Sequence, residues 1–108
     1  MRIEVEEKGN NAIVAIAGDL DYNSYSSFND KILELVDKDF KKIVVDMSSV
    51  GHIDSMGLGA VTRLWKTAGQ NNSELSLACV PKNVGKLINL INLDQRIKVF
   101  DDVKNALA

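Results

Sequence analysis

The chain has 108 residues, of which 45% are hydrophobic and 26% charged, and its formal net charge is −2. These values are ordinary for a globular protein, and the length suits one compact unit, so we predict a single domain over residues 1–108. Lys and Arg are scattered along an acidic chain, which argues against nucleic-acid binding. With one cysteine, Cys79, and one histidine, His52, we expect no intramolecular disulfide, metal site or cofactor.

The chain begins with MRIEVEEKGN, which alternates charged and apolar residues and has no apolar signal core. No stretch approaches the roughly 20 apolar residues that a membrane-spanning helix needs. The single thiol suits a reducing compartment. We therefore expect a cytoplasmic protein without a membrane span.

The first elements have the pattern of a β-hairpin. RIEVE alternates with the two-residue period of an edge strand, KGNN supplies turn residues, and AIVAIAG is more continuously apolar. A hairpin into a more buried strand follows from this order.

A helix and a third strand come next. From Tyr25 the apolar residues recur at helical spacing, and Asn23 or Ser24 precedes them as a cap. KIVVDM is short and rich in β-branched residues, which is typical of a parallel strand covered on both faces.

The second half predicts three helices and two strands. After HIDSMGLG, a helix with one apolar stripe is ended by Gly69 with Asn71 and Asn72, and ELSLACV forms a strand that Pro81 stops. RIKVF is a last strand, after which Asp101 caps a terminal helix. The stripe of the first of these helices comprises Leu58, Val61, Leu64, Trp65 and Ala68, and that of the second comprises Val84, Leu87, Ile88 and Ile91.

Strands that alternate with helices predict an α/β fold. We expect a mixed, mostly parallel sheet of about five strands with an antiparallel amino-terminal edge strand, packed with about four α-helices. Functional sites in such sheets lie at the carboxyl ends of the strands. GDLD (residues 18–21) and HIDSMGLG (residues 52–59) both fall there.

Ser55 in HIDSMGLG is not the nucleophile of a standard hydrolase motif. Ile53 replaces the first glycine of the G-x-S-x-G elbow, and no histidine follows the serine to act as a base. We interpret His52 as a loop residue. A small hydrolase is therefore a minor alternative, and we expect no enzymatic activity.

Two phosphate-related alternatives also fit poorly. Gly57 and Gly59 give only G-x-G, which we interpret as letting a helix pack closely against the sheet or a partner. Asp46 ends a strand as the phosphoacceptor of a receiver-like domain would. However, Asp19 and Asp21 follow a hairpin strand and are better suited to a turn than to holding magnesium.

A structural role for the serine also stays open. Either Asp54 or Ser55 can act as the helix N-cap and accept a hydrogen bond from an unpaired backbone N–H. Ser48, Ser49 and Thr62 are rival sites if a serine or threonine here is modified.

IDSMGLG, preceded by KIVVDMSSV and by GDLD, resembles the STAS domain and, within it, the bacterial anti-sigma factor antagonists. The resemblance covers nearly the whole chain in order and spacing, including Pro81 before a helix. Two residues depart from the family pattern. Asp19 replaces the more usual glutamate, and Met56 stands where a small hydroxyl residue is often found.

The resemblance implies a partner switch that regulates sigma-factor-dependent transcription. The unmodified domain would bind an anti-sigma factor that is also a serine kinase, phosphorylation of Ser55 would end that binding, and a serine phosphatase would reset the switch. We expect a monomer whose kinase partner supplies ATP and magnesium. The implied partner-binding residues are Asp19, Asp21, Asp54, Ser55, Met56, Gly57 and Gly59.

A different class of function stays open beside this one. The protein would then be a STAS-type scaffold subunit of a transporter or lipid-trafficking complex, with no phosphoswitch and with Ser55 acting only as a helix cap.

Overall fold

The sheet sets the architecture of the molecule. The computed structural model describes residues 1–108, and its five strands lie side by side in chain order. β1 is antiparallel to β2, and all the other neighbours are parallel. This confirms the predicted class, strand number and antiparallel edge strand. The strands are β1 (Arg2–Lys8), β2 (Asn11–Leu20), β3 (Lys42–Ile53), β4 (Glu74–Ala78) and β5 (Lys98–Phe100).

Four α-helices connect or follow the parallel strands, as predicted. They are α1 (Tyr25–Asp37), α2 (Ser55–Gln70), α3 (Lys82–Leu90) and α4 (Val103–Leu107). A short 3-10 helix over Leu93–Gln95 was not predicted, because three residues are too few to show a period. No helix combines the length and the apolar character needed to cross a bilayer.

The main core lies between one face of the sheet and the helices α1, α2 and α3. Large side chains in it, such as Phe28 and Leu64, are essentially inaccessible to water. Burial of each contributes about 1.5–3 kcal/mol. α4 covers part of the opposite face, where Ala106 packs with Val44 and Ala78.

β3 is longer than the sequence indicated, and this changes the position of HIDSMGLG. Twelve residues of β3 are extended because β2 also continues, so that Gly18 lies opposite Val50 and Leu20 opposite Ile53. Backbone pairing here overrides the polar, glycine-containing composition. His52 therefore lies on a strand, and its assignment to a loop was wrong.

Two predicted helix caps differ in the structure. Asp102, not Asp101, caps α4, because its carboxylate accepts the Asn105 N–H at 2.7 Å. Ser24 occupies the cap position of α1 without capping it. Its hydroxyl donates instead to the Asp19 carbonyl at 2.6 Å.

Two element ends also differ in part. Asn71 and the left-handed Asn72 (φ 62°) end α2 as predicted, whereas Gly69 lies inside the helix. Asparagine tolerates that conformation because its side chain is short and polar. The last strand begins at Lys98 rather than Arg96, since the 3-10 helix and its cap occupy the preceding residues.

A single residue, Asp54, joins β3 to α2. Its backbone N–H donates to the Leu20 carbonyl at 3.3 Å, and its carboxylate accepts the Gly57 N–H at 2.9 Å. A Cβ at Gly57 would collide with the Leu20 carbonyl oxygen and lie 2.9 Å from Ile53 Cγ1. Close packing of the helix on the sheet therefore requires this glycine.

Gly59 does not have the same role. A Cβ there would lie 3.2 Å from Arg63 Nη1, the mobile end of a long side chain. Close packing against the sheet is therefore confirmed for Gly57, whereas at Gly59 the sheet does not require a glycine, and close approach of a partner there stays a prediction.

Gly57→Ala should lower the free energy of unfolding by about 1–3 kcal/mol, because α2 must move away from the end of β2. Gly59→Ala is the matched control on the same helix. It should change stability by no more than about 1 kcal/mol, in either direction. Urea denaturation followed by circular dichroism measures both, and equal stabilities of the two variants would contradict the packing role of Gly57.

Asp54 makes stability depend on pH in the acid range. The Gly57 N–H holds the pKa of the Asp54 carboxyl below its ordinary value of 3.8. A carboxyl with a lowered folded-state pKa stabilises the fold above its unfolded-state pKa and loses this effect as the pH falls through the folded-state value. Asp54→Asn should therefore be less stable than the unsubstituted protein at neutral pH, and this difference should shrink below pH 3.8.

Urea denaturation of both proteins at about pH 7 and about pH 3 measures the effect. Asp101→Asn is the control, since Asp101 lies next to a helix start but does not cap it. A stability difference for Asp54→Asn that is the same at both pH values would show that its charge has no part in the cap.

Candidate functional site

The carboxyl ends of β2 and β3 meet at one edge of the molecule. Leu20 and Ile53 lie opposite each other in the parallel ladder, which brings GDLD beside the start of α2. Asp19 and Ser55 are exposed there, and Asp21 is half-buried. The structure thus brings together the two motifs that the sequence placed at strand ends.

Ser55 is the first residue of α2 and is exposed. The side chain that caps the helix belongs to Asp54, so the capping role that the sequence left open between these two residues falls to the aspartate. The amino terminus of a helix presents unpaired N–H groups and a partial positive charge. An exposed hydroxyl therefore stands where the backbone can accommodate negative charge.

Asp54 holds two segments of the site together. One carboxylate oxygen accepts the Gly57 N–H at 2.9 Å, and the other accepts the Tyr22 N–H at 3.0 Å. The Gly57 N–H has the largest effect in lowering the pKa of this carboxyl, and the Tyr22 N–H lowers it further. The carboxylate fixes the turn after β2 to the first turn of α2.

The turn after β2 is ordered by its own side chains. Asp21 Oδ1 accepts the Asn23 N–H at 3.0 Å, and Ser24 Oγ accepts the Asp21 N–H at 3.0 Å. Ser24 Oγ also donates to the Asp19 carbonyl, as described above. This network leaves the Tyr22 side chain 70% exposed on a turn that is fixed at both ends.

Sequence reasoning missed Tyr22. It lies outside the apolar stripes of the predicted helices, so no periodic pattern identified it. The available signal was an aromatic residue between two turn-forming residues at a strand end. An exposed aromatic side chain on an ordered backbone is suited to contact with another protein.

The other residues of the predicted site are not equally accessible. Met56 and Gly59 are half-buried, whereas Gly57 is buried beneath the helix start. Gly57 therefore shapes the surface through its backbone. Leu58 is also half-buried and packs against the main core.

The rival hydroxyl groups have different surroundings. Thr62 Oγ1 donates to the Leu58 carbonyl at 2.9 Å within α2. Ser48 and Ser49 are exposed, but they lie on β3 before its end, with Ser49 opposite Ala17. Neither stands at a helix amino terminus.

The receiver-like arrangement is not formed. Asp46 lies opposite Ala15, several residues before the end of β3, whereas Asp19 and Asp21 lie beyond that level. Asp46 instead lies beside Cys79, and burial together with this carboxylate raises the pKa of the Cys79 thiol.

Comparison with known proteins identifies the family. The STAS domain pattern matches residues 2–106. A STAS-domain containing protein of Pseudomonas aeruginosa is 30% identical over 91 residues, which is 84% of this chain and 89% of that protein. The anti-sigma F factor antagonist of Paenibacillus polymyxa is 25% identical over 108 residues, which is 99% of this chain and 92% of that protein.

Solved structures show the same fold. The crystal structure of an anti-sigma factor antagonist from Mycobacterium paratuberculosis superposes with a TM-score of 0.88 at 20% identity, over 98% of this chain and 90% of that chain. The Bacillus cell fate determinant SpoIIAA in its phosphorylated form gives a TM-score of 0.76 at 15% identity, over 98% and 96% of the two chains. From the match over residues 2–106, this chain belongs to the STAS domain family.

Proposed function

We propose that this protein is an anti-sigma factor antagonist. It binds an anti-sigma factor that is also a serine kinase, and phosphorylation of Ser55 by that kinase ends the binding. One observation carries the proposal: Ser55 is exposed at the first position of α2 while the neighbouring Asp54 performs the structural capping. The hydroxyl is free to be modified without loss of the cap.

The comparisons support this proposal. One relative that matches almost the whole chain is named an anti-sigma F factor antagonist. A protein with the same fold has been solved in a phosphorylated form. On this basis residues 1–108 act as one cytoplasmic, monomeric, non-enzymatic STAS domain, and a serine phosphatase reverses the modification.

The proposed docking surface surrounds Ser55. It contains the carboxylates of Asp19, Asp21 and Asp54, the half-buried Met56 and Gly59, and the exposed ring of Tyr22, with Gly57 beneath them. Met56 supplies a polarisable, adaptable contact. Tyr22 supplies the large aromatic area that often dominates binding energy at interfaces.

Phosphorylation alters this surface mainly through charge. A phosphoserine adds about −1.5 to −2 charges at neutral pH. Within the free protein, the helix terminus stabilises such a charge by about 0.3–2 kcal/mol. At an interface without a matching cation, burying the dianion costs several kcal/mol. A penalty of about 4 kcal/mol weakens binding roughly a thousandfold.

The geometry favours a local effect over a refolding step. Gly57 packs directly against the end of β2, and Asp54 fixes both neighbouring segments. Little room exists for α2 to shift its first turn. The phosphate would therefore act where it is added, together with the three nearby carboxylates.

Ser55→Ala should bind the anti-sigma factor kinase as tightly as the unsubstituted protein does and should keep this affinity when ATP is added. Ser55→Asp should bind more weakly without ATP, because it introduces a permanent negative charge. Isothermal titration calorimetry with the host's anti-sigma factor kinase, with and without ATP, measures these affinities.

Ser49→Ala provides the control, since Ser49 is also an exposed serine but lies before the end of β3. It should lose affinity on addition of ATP as the unsubstituted protein does. If Ser55→Ala lost affinity with ATP to the same extent, Ser55 would not be the switch residue.

Tyr22→Ala should weaken binding to the same kinase by at least about tenfold, the effect expected for an interface anchor. Tyr22→Phe retains the ring and should bind nearly as well as the unsubstituted protein. Val5→Ala shortens an exposed side chain on the outer strand β1 and should leave affinity unchanged. Equal affinities of the Tyr22→Ala and Val5→Ala variants would remove Tyr22 from the docking surface.

A further inference from the structure

A second surface lies between α3 and β5, and none of its residues belongs to the docking surface around Ser55. An open groove of about 620 Å³ runs there. Its lining includes Val80, Gly85, Lys86, Asn89, Asp94 and Val99. β5 pairs only with β4, so its other edge is unpaired along this groove.

Exposed apolar side chains concentrate around the groove. Leu90 is 77% exposed and continues the groove past Lys86 and Asn89, while Val99 is 42% exposed within it. Ile91, the next residue after α3, is 52% exposed. Exposed apolar side chains beside a groove are a feature of sites of protein interaction.

Gly85 lines the groove from within α3. A Cβ at Gly85 would meet only Val80 Cγ1, at an ordinary contact distance of 3.7 Å. The packing of this domain therefore does not require glycine here, and its absence of a side chain leaves the backbone of α3 accessible from the groove.

The groove itself is lined by two cationic side chains, Lys82 and Lys86, and one carboxylate, Asp94. Its charge is therefore opposite in sign to the net charge of the chain, which is −2. Lys82 and Lys86 lie one helical turn apart and are exposed, and neither forms an ion pair.

We infer that this groove binds an acidic segment of another protein, whose aliphatic side chains lie between α3 and β5 and whose carboxylates contact Lys82 and Lys86. Charge complementarity selects this occupant over a basic one. The inference does not depend on the modification of Ser55, so either proposal can fail without the other.

The test uses two synthetic peptides with the same leucine positions. In one, the intervening residues are Asp and Glu, and in its twin they are Lys. The acidic peptide should shift the backbone amide resonances of Gly85, Lys86, Leu90 and Val99 in the 108-residue protein, and these shifts should diminish with added salt. The basic twin should leave them unchanged.

Three variants make the test specific. Gly85→Leu should fill the groove and abolish the shifts, whereas Gly69→Leu, at an exposed helical glycine with no atom near its Cβ position, should retain them. Lys82→Glu combined with Lys86→Glu should weaken binding of the acidic peptide at least about tenfold. Each variant is first shown to fold by its amide spectrum, and Lys82→Gln with Lys86→Gln replaces the double reversal if that variant does not fold.

Several outcomes would overturn the inference. The amide resonances could shift equally with both peptides, or shift only at residues around Ser55. The acidic peptide could also leave the groove resonances unshifted at millimolar concentration. Concentration-dependent broadening of groove resonances without peptide, with dimers in sedimentation, would assign the surface to a second copy of this chain.

Discussion

The structure depends on one carboxylate that holds two segments at the end of a parallel strand pair. Asp54 accepts the Gly57 N–H with one oxygen and the Tyr22 N–H with the other, and its own N–H reaches the Leu20 carbonyl. These bonds replace the loop that commonly separates a strand from a helix. Because no flexible linker intervenes, the position of the first helical residue is set by the sheet itself.

In the proposed function, this junction gives the helix cap to Asp54 and the modified hydroxyl to the adjacent Ser55. If the serine itself capped the helix, phosphorylation would replace its hydroxyl hydrogen bond by bonds to phosphate oxygens and would change the geometry of the helix start. With the cap on Asp54, the hydroxyl of Ser55 can change its charge while the hydrogen bonds that hold the helix stay in place. A rigid site of this kind changes affinity through charge and surface chemistry, which matches a binding protein that is reset repeatedly.

Periodic patterns in the sequence predicted the class, the number of strands and helices and most of the main core, because burial of apolar faces determines those features. Features that depend on backbone pairing between strands could not be predicted from these patterns. The polar SSVGH stretch is extended only because β2 lies beside it. Caps depend on which carboxylate reaches an N–H, so the choice of Asp102 over Asp101 needs coordinates. Tyr22 could be recognised as a candidate contact residue only from the structure, in which the hydrogen bond from its backbone N–H to the Asp54 carboxylate fixes its turn.

The two proposed surfaces differ in the sign of their charge, and this difference limits which partners each of them can bind. Carboxylates surround Ser55, whereas Lys82 and Lys86 outnumber the single carboxylate, Asp94, in the groove between α3 and β5. A partner matched to one surface is mismatched to the other, since like charges at an interface disfavour association. Added phosphate would make the Ser55 surface still more acidic and would leave the lysines of α3 unchanged. A segment bound at α3 could therefore remain in place while the kinase dissociates, so that one domain holds one partner and exchanges another.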